Sequence, residues 1–318
     1  MRAEIAPERE IAAALQAYGM EPDSVAYLTS GSYCAAYRVS CGGKEYVARL
    51  RSPWATRADV LFAARWARAV SSEVPVTAPL MPVSAVPVVG GRCLDIAPYI
   101  PHEHTDGGKV DPEAWELVGQ WLGTMHRLGA PLRNAAPCEL RYGNHPNRSI
   151  LAACLEHAEK TVPQSHVDLL ARASTLLRRA ERGVYERADP LPVGVVHGDM
   201  HFWNVMYSNG MPVAIMDLDF LQKGILLFDL AYASIWLEAW ERDRGAPWKD
   251  VTERYLAAYG RGREAPLSDA EVACLPWCRS LVHIMFFLYS IHFGWQGVEK
   301  GREDLTEADR VMSQVEGK

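Results

Sequence analysis

The sequence predicts an α+β chain in which a small antiparallel, β-rich domain precedes a larger and mainly helical one. Three observations carry this. Strand-like runs with hairpin turns between them crowd the first hundred residues. A strong helix start at Asp111-Pro112-Glu113 opens a long region of helical periodicity. One short hairpin near residue 210 then interrupts that helical region.

The elements follow in order. Glu8 to Tyr18 carries Ile11, Leu15 and Tyr18 on one helical face, an amphipathic lead-in. Val25 to Leu28, Ala35 to Val39 and Glu45 to Leu50 read as strands. Ser30-Gly31-Ser32 separates the first two and Cys41-Gly42-Gly43-Lys44 the next two, so the sheet is antiparallel. A helix is predicted from Arg57 to Ala69, and two more strands around Val86 to Val89 and Arg92 to Tyr99. The Pro98 to Pro101 region marks the change of character and divides the chain into 1–98 and 99–318. Beyond it, Asp111 is the N-cap with Pro112 in the first turn, and Trp115, Val118, Leu122 and Met125 recur at helical spacing. Ser165-His166-Val167-Asp168 resembles a capping box ahead of Leu169, Leu170, Leu176 and Leu177.

Composition narrows the class. With 49% hydrophobic and 23% charged residues, the chain has the balance of a soluble globular protein. A net charge of −6 gives no footprint for a nucleic-acid partner. Seven scattered cysteines contain no Cys-x-x-Cys pair, which argues against a zinc or redox motif and for reduced thiols. The most apolar stretch, Leu281 to Phe293, is interrupted by His283, Ser290 and His292 and reads as a buried helix rather than a membrane span. Met1-Arg2-Ala3-Glu4 lacks an apolar signal-peptide core, so the expectation is a cytoplasmic protein with no membrane partner.

The chemistry concentrates in His197-Gly198-Asp199-Met200-His201-Phe202-Trp203-Asn204 and the Ile215-Met216-Asp217 that follows. An Asp, an Asn five positions later and a second Asp eighteen positions after the first are the polar groups that phosphoryl transfer from a nucleotide needs. One carboxylate takes the proton of the attacking hydroxyl, while an amide oxygen and another carboxylate hold Mg²⁺. Val205-Met206-Tyr207, the turn Ser208-Asn209-Gly210 and Val213 to Met216 form a hairpin that returns Asp217 towards Asp199 and Asn204. Asp199 begins where the buried run Val193-Gly194-Val195-Val196 ends. His197 is assigned a supporting bond within the loop, whereas His201 either faces the acceptor or is solvated. On an extended backbone Asp219 shares a face with Asp217 and touches a second metal ion; alternatively it caps the next turn. Asp229 is read as the N-cap of a helix from Leu230 to Trp240, with a further option of bonding the catalytic loop.

In the small domain, Ser30-Gly31-Ser32 permits backbone N–H groups to approach phosphates. Arg49 puts a fixed positive charge beside that loop, on the same strand face as Val47. Asp59, on the following helix, is its candidate carboxylate partner, with Glu73 as the other.

These residues resemble the aminoglycoside phosphotransferase and choline kinase superfamily, small-molecule relatives of protein kinases. The resemblance rests on His197-Gly198-Asp199 with Asn204, on Ile215-Met216-Asp217-Leu218-Asp219, and on Asp229-Leu230-Ala231. It implies a two-lobed protein-kinase-like fold with ATP or GTP between the lobes. Asp199 would be the base, Asn204 and Asp217 the Mg²⁺ ligands, Ser30 to Tyr33 the loop over the phosphates, and Arg49 the phosphate cation. Pro98 and Tyr99, at the join, complete the nucleotide-contacting candidates. Many relatives have Lys where this chain has Arg49, and the matching acid would be Asp59 in place of Glu. A longer cation with a shorter acid keeps the reach of the pair.

Only twelve positions separate Asp217 from Asp229, too few for a peptide-docking segment, so the acceptor is a small-molecule hydroxyl. The run from Trp236 to Trp248, with Glu238, Trp240, Glu241 and Asp243, suits a polycyclic or amine-bearing acceptor. Trp277 and Trp295 read as core. An antibiotic-like natural product, and hence a role in antibiotic resistance, leads the acceptor classes. Homoserine, choline or a sugar, or a non-catalytic nucleotide-binding role, are the alternatives.

Overall fold

The structure, a computed structural model, describes residues 5–31, 33–103, 112–137, 145–187, 189–244, 248–294 and 298–316. Its chain divides into two compact units. One comprises Met1–Ala114, Asn134–Pro137 and Val205–Leu221; the other comprises Trp115–Arg133, Cys138–Asn204 and Gln222–Lys318.

The first unit is built on a five-stranded antiparallel sheet in the order β1-β2-β3-β5-β4. Its strands are β1 (Ser24–Ser30), β2 (Ala35–Cys41), β3 (Lys44–Leu50), β4 (Val88–Val89) and β5 (Arg92–Pro98). Helix α1 (Glu8–Ala14) runs into a 3₁₀ turn, Leu15–Tyr18, so the lead-in helix tightens in its last turn. Alternation along the strands sends Tyr37, Val39, Ala48, Leu50, Leu94 and Ile96 to one face, where they pack with Ile11, Leu15 and Tyr18. The other face carries Arg49, which lies opposite Asp95 in the β3–β5 ladder. Helix α2 (Arg57–Val70) starts with a full capping box between Thr56 and Asp59.

Strands β7 (Val205–Ser208) and β8 (Met211–Ile215) form the expected hairpin. Asn209 and Gly210 both take positive φ, 52° and 77°, as a two-residue primed turn requires. The hairpin belongs to the sheet unit because the chain at 75–77 and at 103 bonds to it. Ile215 donates to Pro75 at 2.9 Å, Thr77 to Ile215 at 2.8 Å and Glu103 to Tyr207 at 2.8 Å. The expected join at 98/99 coincides with the end of β5, and the packed unit takes in further chain through these bonds.

The second unit is mainly helical. It holds α3 (Pro112–Gly129, from Trp115 onward), α4 (Arg148–Thr161), α5 (Val167–Tyr185), α6 (Leu227–Arg244), α7 (Trp248–Arg263), α8 (Asp269–Phe293) and α9 (Val298–Glu316). A short antiparallel pair, β6 (Val193–Val196) with β9 (Gln222–Ile225), joins them. A 3₁₀ turn, Gln164–His166, precedes α5, and His166 occupies the N-cap with no side-chain bond; the Ser165 side chain lies outside the described residues. Among the described residues α8 alone is long and apolar enough to cross a membrane. Leu281, Val282, Ile284, Met285, Phe287 and Leu288 on it are fully covered by the protein, as expected of a core helix. Cys34, Cys41, Cys93, Cys154, Cys274 and Cys278 are all free thiols.

Candidate active site

In the helical unit the loop after β6 carries the predicted base. Gly198 takes φ +77°, which brings Asp199 out of the strand direction at a position where a side chain would be strained. The loop is clamped from outside. Asp229 accepts the backbone N–H of His197 at 2.6 Å and of Gly198 at 2.9 Å. It also bonds Nε2 of His126 at 3.1 Å, and Nδ1 of that ring meets the Tyr259 hydroxyl at 2.9 Å. Burial alone would raise the Asp229 carboxyl; the bond and charge of His126, with His197 and the Gly198 N–H, outweigh it and hold it below the ordinary range. Helix α6 begins at Leu227, so Asp229 sits inside its first turn and is not the N-cap. It acts on the loop, the second of the roles expected for it.

Asp199 is itself held at both carboxylate oxygens. Asn204 donates Nδ2 to Oδ2 at 2.9 Å and to the Asp199 carbonyl at 2.8 Å. Tyr232 donates its hydroxyl to Oδ1 at 2.9 Å. Burial first, and then the charge of Asp199, push the Tyr232 hydroxyl far above its usual range, so it remains a donor. His201 Nε2 lies 3.4 Å from Oδ1. With Nδ2 turned to Asp199, Oδ1 is the atom of the Asn204 amide suited to a cation. His197 is buried, and its backbone N–H is the group bonded to Asp229. Around Asp199, His201, Phe202, Trp203, Tyr232, Trp236 and Phe286 form a chain of edge-to-face and tilted ring contacts. Trp203 within it is 51% exposed.

The sheet unit holds a buried charge cluster. Arg49 grips Asp95 with two prongs, Nε to Oδ1 at 3.1 Å and Nη2 to Oδ2 at 2.9 Å. Arg51 shares Oδ2 through Nη1 at 2.7 Å and approaches Asp219 through Nε at 2.8 Å. Asp219 also lies 3.6 Å from Arg49 and accepts Ser52 Oγ at 3.2 Å and the Cys34 thiol at 3.1 Å. Burial would raise the Asp219 carboxyl, but Arg51 and then Arg49 hold it well below the carboxylate range. Asp217, with a 33% exposed side chain, is 3.9 Å from Arg49 Nη1.

Two expectations are corrected here. The partner of Arg49 is Asp95, not Asp59 or Glu73, because ladder register sets Asp95 directly across from it while Asp59 serves the capping box of α2. The backbone at Asp217 is not extended: φ 61° and ψ 71° are left-handed, and a 3₁₀ turn Leu218–Phe220 follows. That conformation costs roughly 1–3 kcal/mol for a residue with a side chain. It sets Asp219 against the arginines, with the Asp217 carboxyl beside it.

Of the residues expected to form a phosphate loop, Gly31 donates to Cys34 O at 2.9 Å across the β1–β2 turn. Tyr33 packs edge-on to Trp54 with centroids 4.7 Å apart. Ser30 closes β1 opposite Ala35. At the join, Pro98 is exposed and Tyr99 carries the Arg38 guanidinium 4.3 Å above its ring. Trp277 packs against Gly183 of α5 but is only half-buried, not the fully covered core position expected of it. Ser32, Trp295 and the side chains of Trp240, Glu241, Asp243 and Trp248 lie outside the described residues.

A profile of the Phosphotransferase enzyme family matches residues 24–267. The chain belongs to this family. A homoserine kinase of Bradyrhizobium sp. strain BTAi1 is 33% identical over 138 residues, 42% of this chain and 40% of that protein. The chain spans about half or less of the length of the curated relatives it matches, 33% to 53%. Among solved structures it resembles an amicoumacin kinase in complex with AMP-PNP, Ca²⁺ and Ami, with a TM-score of 0.69 at 16% identity, covering 98% of this chain and 94% of the other. A spectinomycin phosphotransferase in complex with ADP and spectinomycin gives 0.64 at 13%, covering 96% and 95%. At such identities the likeness establishes the fold, which is the protein-kinase-like one that the motifs imply, within the aminoglycoside phosphotransferase and choline kinase superfamily.

Within this family frame, four residues escaped the sequence reading: Asp95, Arg51, His126 and Tyr232. Two had a signal. Asp95 is an acid inside the otherwise buried strand Arg92–Pro98. Tyr232 follows Asp229 by three positions, on the helix face that meets the loop. His126 and Arg51 had none.

Proposed function

We propose that this protein transfers the γ-phosphoryl group of ATP or GTP to a hydroxyl of a small molecule. The observation that carries the proposal is the double hold on Asp199. Tyr232 and Asn204 each donate to one of its oxygens, on a loop fixed by Asp229. A carboxylate held this way is oriented to accept the proton of an attacking hydroxyl, and positioning dominates phosphoryl transfer. Arg49 is assigned to the nucleotide phosphates, with the turn at Ser30, Gly31, Ser32 and Tyr33 beside its strand.

Asn204 Oδ1 and the Asp217 carboxylate are assigned to Mg²⁺, for which both are hard oxygen ligands. When bound, the ion neutralises charge on the transferring phosphoryl group. Asp219 is assigned to the arginines rather than to a metal.

Two acceptor classes have support. The curated relatives favour a small amino-acid alcohol of the homoserine type. The aromatic chain from His201 to Phe286, with Trp203 exposed, favours a larger amine-bearing natural product. Phosphate incorporation from ATP and from GTP, with Mg²⁺, across homoserine, choline, a sugar and aminated antibiotics tests both. Transfer to one class identifies it. A protein that binds nucleotide and phosphorylates none of them would instead support a nucleotide-binding regulator.

A further inference from the structure

Arg49 and Arg51 face Asp95 and Asp219 in the sheet unit, and all but Arg49 are almost wholly buried. In such a medium an unmatched charge costs most. Asp217 lies beside them, 3.9 Å from Arg49 Nη1.

Within this set the guanidinium of Arg49 has little freedom. Asp95 takes Nε and Nη2 in a planar fork, and the rotamer is fixed by that pair of bonds. Nη1 is the prong directed towards Asp217. An ammonium at position 49 has no second prong with which to hold Asp95 and still present a donor in a set direction. Arg51 Nη1 on Asp95 Oδ2 and Arg92 Nε on the Arg51 carbonyl at 2.8 Å brace the same assembly from behind. The Asp59 Oδ2 is engaged at its own helix start, by the Thr56 N–H and hydroxyl at 2.7 Å each.

We propose that Asp95 is the positioning residue for Arg49, aiming its Nη1 for the nucleotide phosphates through a cross-strand fork in place of a helix acid. This rests on the reading of Arg49 as the phosphate cation. It also accounts for the use of Arg at position 49: cation and acid are adjacent strands' partners in register, where a two-pronged planar contact fits.

A double-mutant cycle tests it, with Mg²⁺–AMP-PNP as the probe and its dissociation constant read by calorimetry on the full chain. Arg49→Ala raises that constant roughly 10-fold or more, the loss of one charge-assisted contact. Asp95→Asn raises it by a similar factor, and adds nothing further in the Arg49→Ala background. Asp59→Asn lowers thermal stability through the cap and leaves the constant unchanged. If Arg49→Ala weakens binding while Asp95→Asn does not, the positioning role is refuted and the phosphate-cation reading survives. Equal increments from Asp95→Asn in both backgrounds refute it too, because the acid then acts independently of Arg49. An unchanged constant in Arg49→Ala removes the phosphate cation and the proposal together. Should Asp95→Asn fail to fold, Asp95→Glu keeps the charge and shifts the fork by one methylene. It is expected to raise the constant less, again only when Arg49 is present; an unchanged constant refutes the proposal.

Discussion

Replacing Asp229 by Asn removes a charge and one acceptor oxygen from the clamp on the catalytic loop while keeping side-chain shape. In the structure Oδ2 serves the His197 N–H and His126 Nε2, and Oδ1 serves the Gly198 N–H, at 2.6, 3.1 and 2.9 Å. The amide has a single oxygen, so at least one buried donor loses its acceptor. Stranding such a donor costs about 1–3 kcal/mol, and bonds that remain lose their charge assistance. About 2–4 kcal/mol in all is expected, below the 3–5 kcal/mol typical of breaking a buried ion pair outright. A variant this destabilised still folds if the wild type has the stability usual for proteins. Turnover suffers more than folding, because the loosened residues directly precede Asp199, and misplacing a base by about 1 Å can cost roughly 10²-fold. Urea unfolding and coupled ADP release read the two effects. The acid limb supplies a further check. The folded carboxyl is held below its unfolded value, so its stabilisation is present above the ordinary carboxylate range and is lost as pH falls through the folded value. The gap between wild type and variant should therefore narrow below about pH 4. An unfolding midpoint and turnover both equal to wild type would refute the clamp.

Asp199→Ala should lower turnover by at least roughly 10²-fold with nucleotide affinity little changed; full activity would remove Asp199 as base. For Asp217→Ala, Mg²⁺-dependent nucleotide binding should disappear, and a titration with unaltered metal dependence would exclude it as a ligand. Tyr232→Phe deletes only the donor on Asp199 Oδ1, so turnover should fall about 10-fold while the nucleotide dissociation constant stays put. A shift in the nucleotide constant with unchanged turnover would point to a purely structural hydroxyl.

Much of the fold was legible because its cues are short-range. The Asn209-Gly210 turn announced its hairpin through the positive φ both positions adopt. The strands β1 to β3 followed from alternation and Gly-containing turns, and α8 from its apolar run. The start of α5 falls just after the Ser165 signal, because a 3₁₀ turn, Gln164–His166, comes first. Asp59 misled: being on the next helix made it the plausible acid, yet its own N-terminus claimed it.

By itself the sequence determined the candidate polar residues and their spacing, Asp199, Asn204 and Asp217, and the local elements that carry them. These depend on bonds between residues a few positions apart. The tertiary structure decided which charges neutralise which. Arg49 meets Asp95 across 46 positions, His126 meets Asp229 across 103, and Arg51 reaches the Leu218 carbonyl, one residue before Asp219, across 167. Such pairings depend on strand register and on burial, where an unmatched charge is most costly, and neither leaves a periodic trace in the chain.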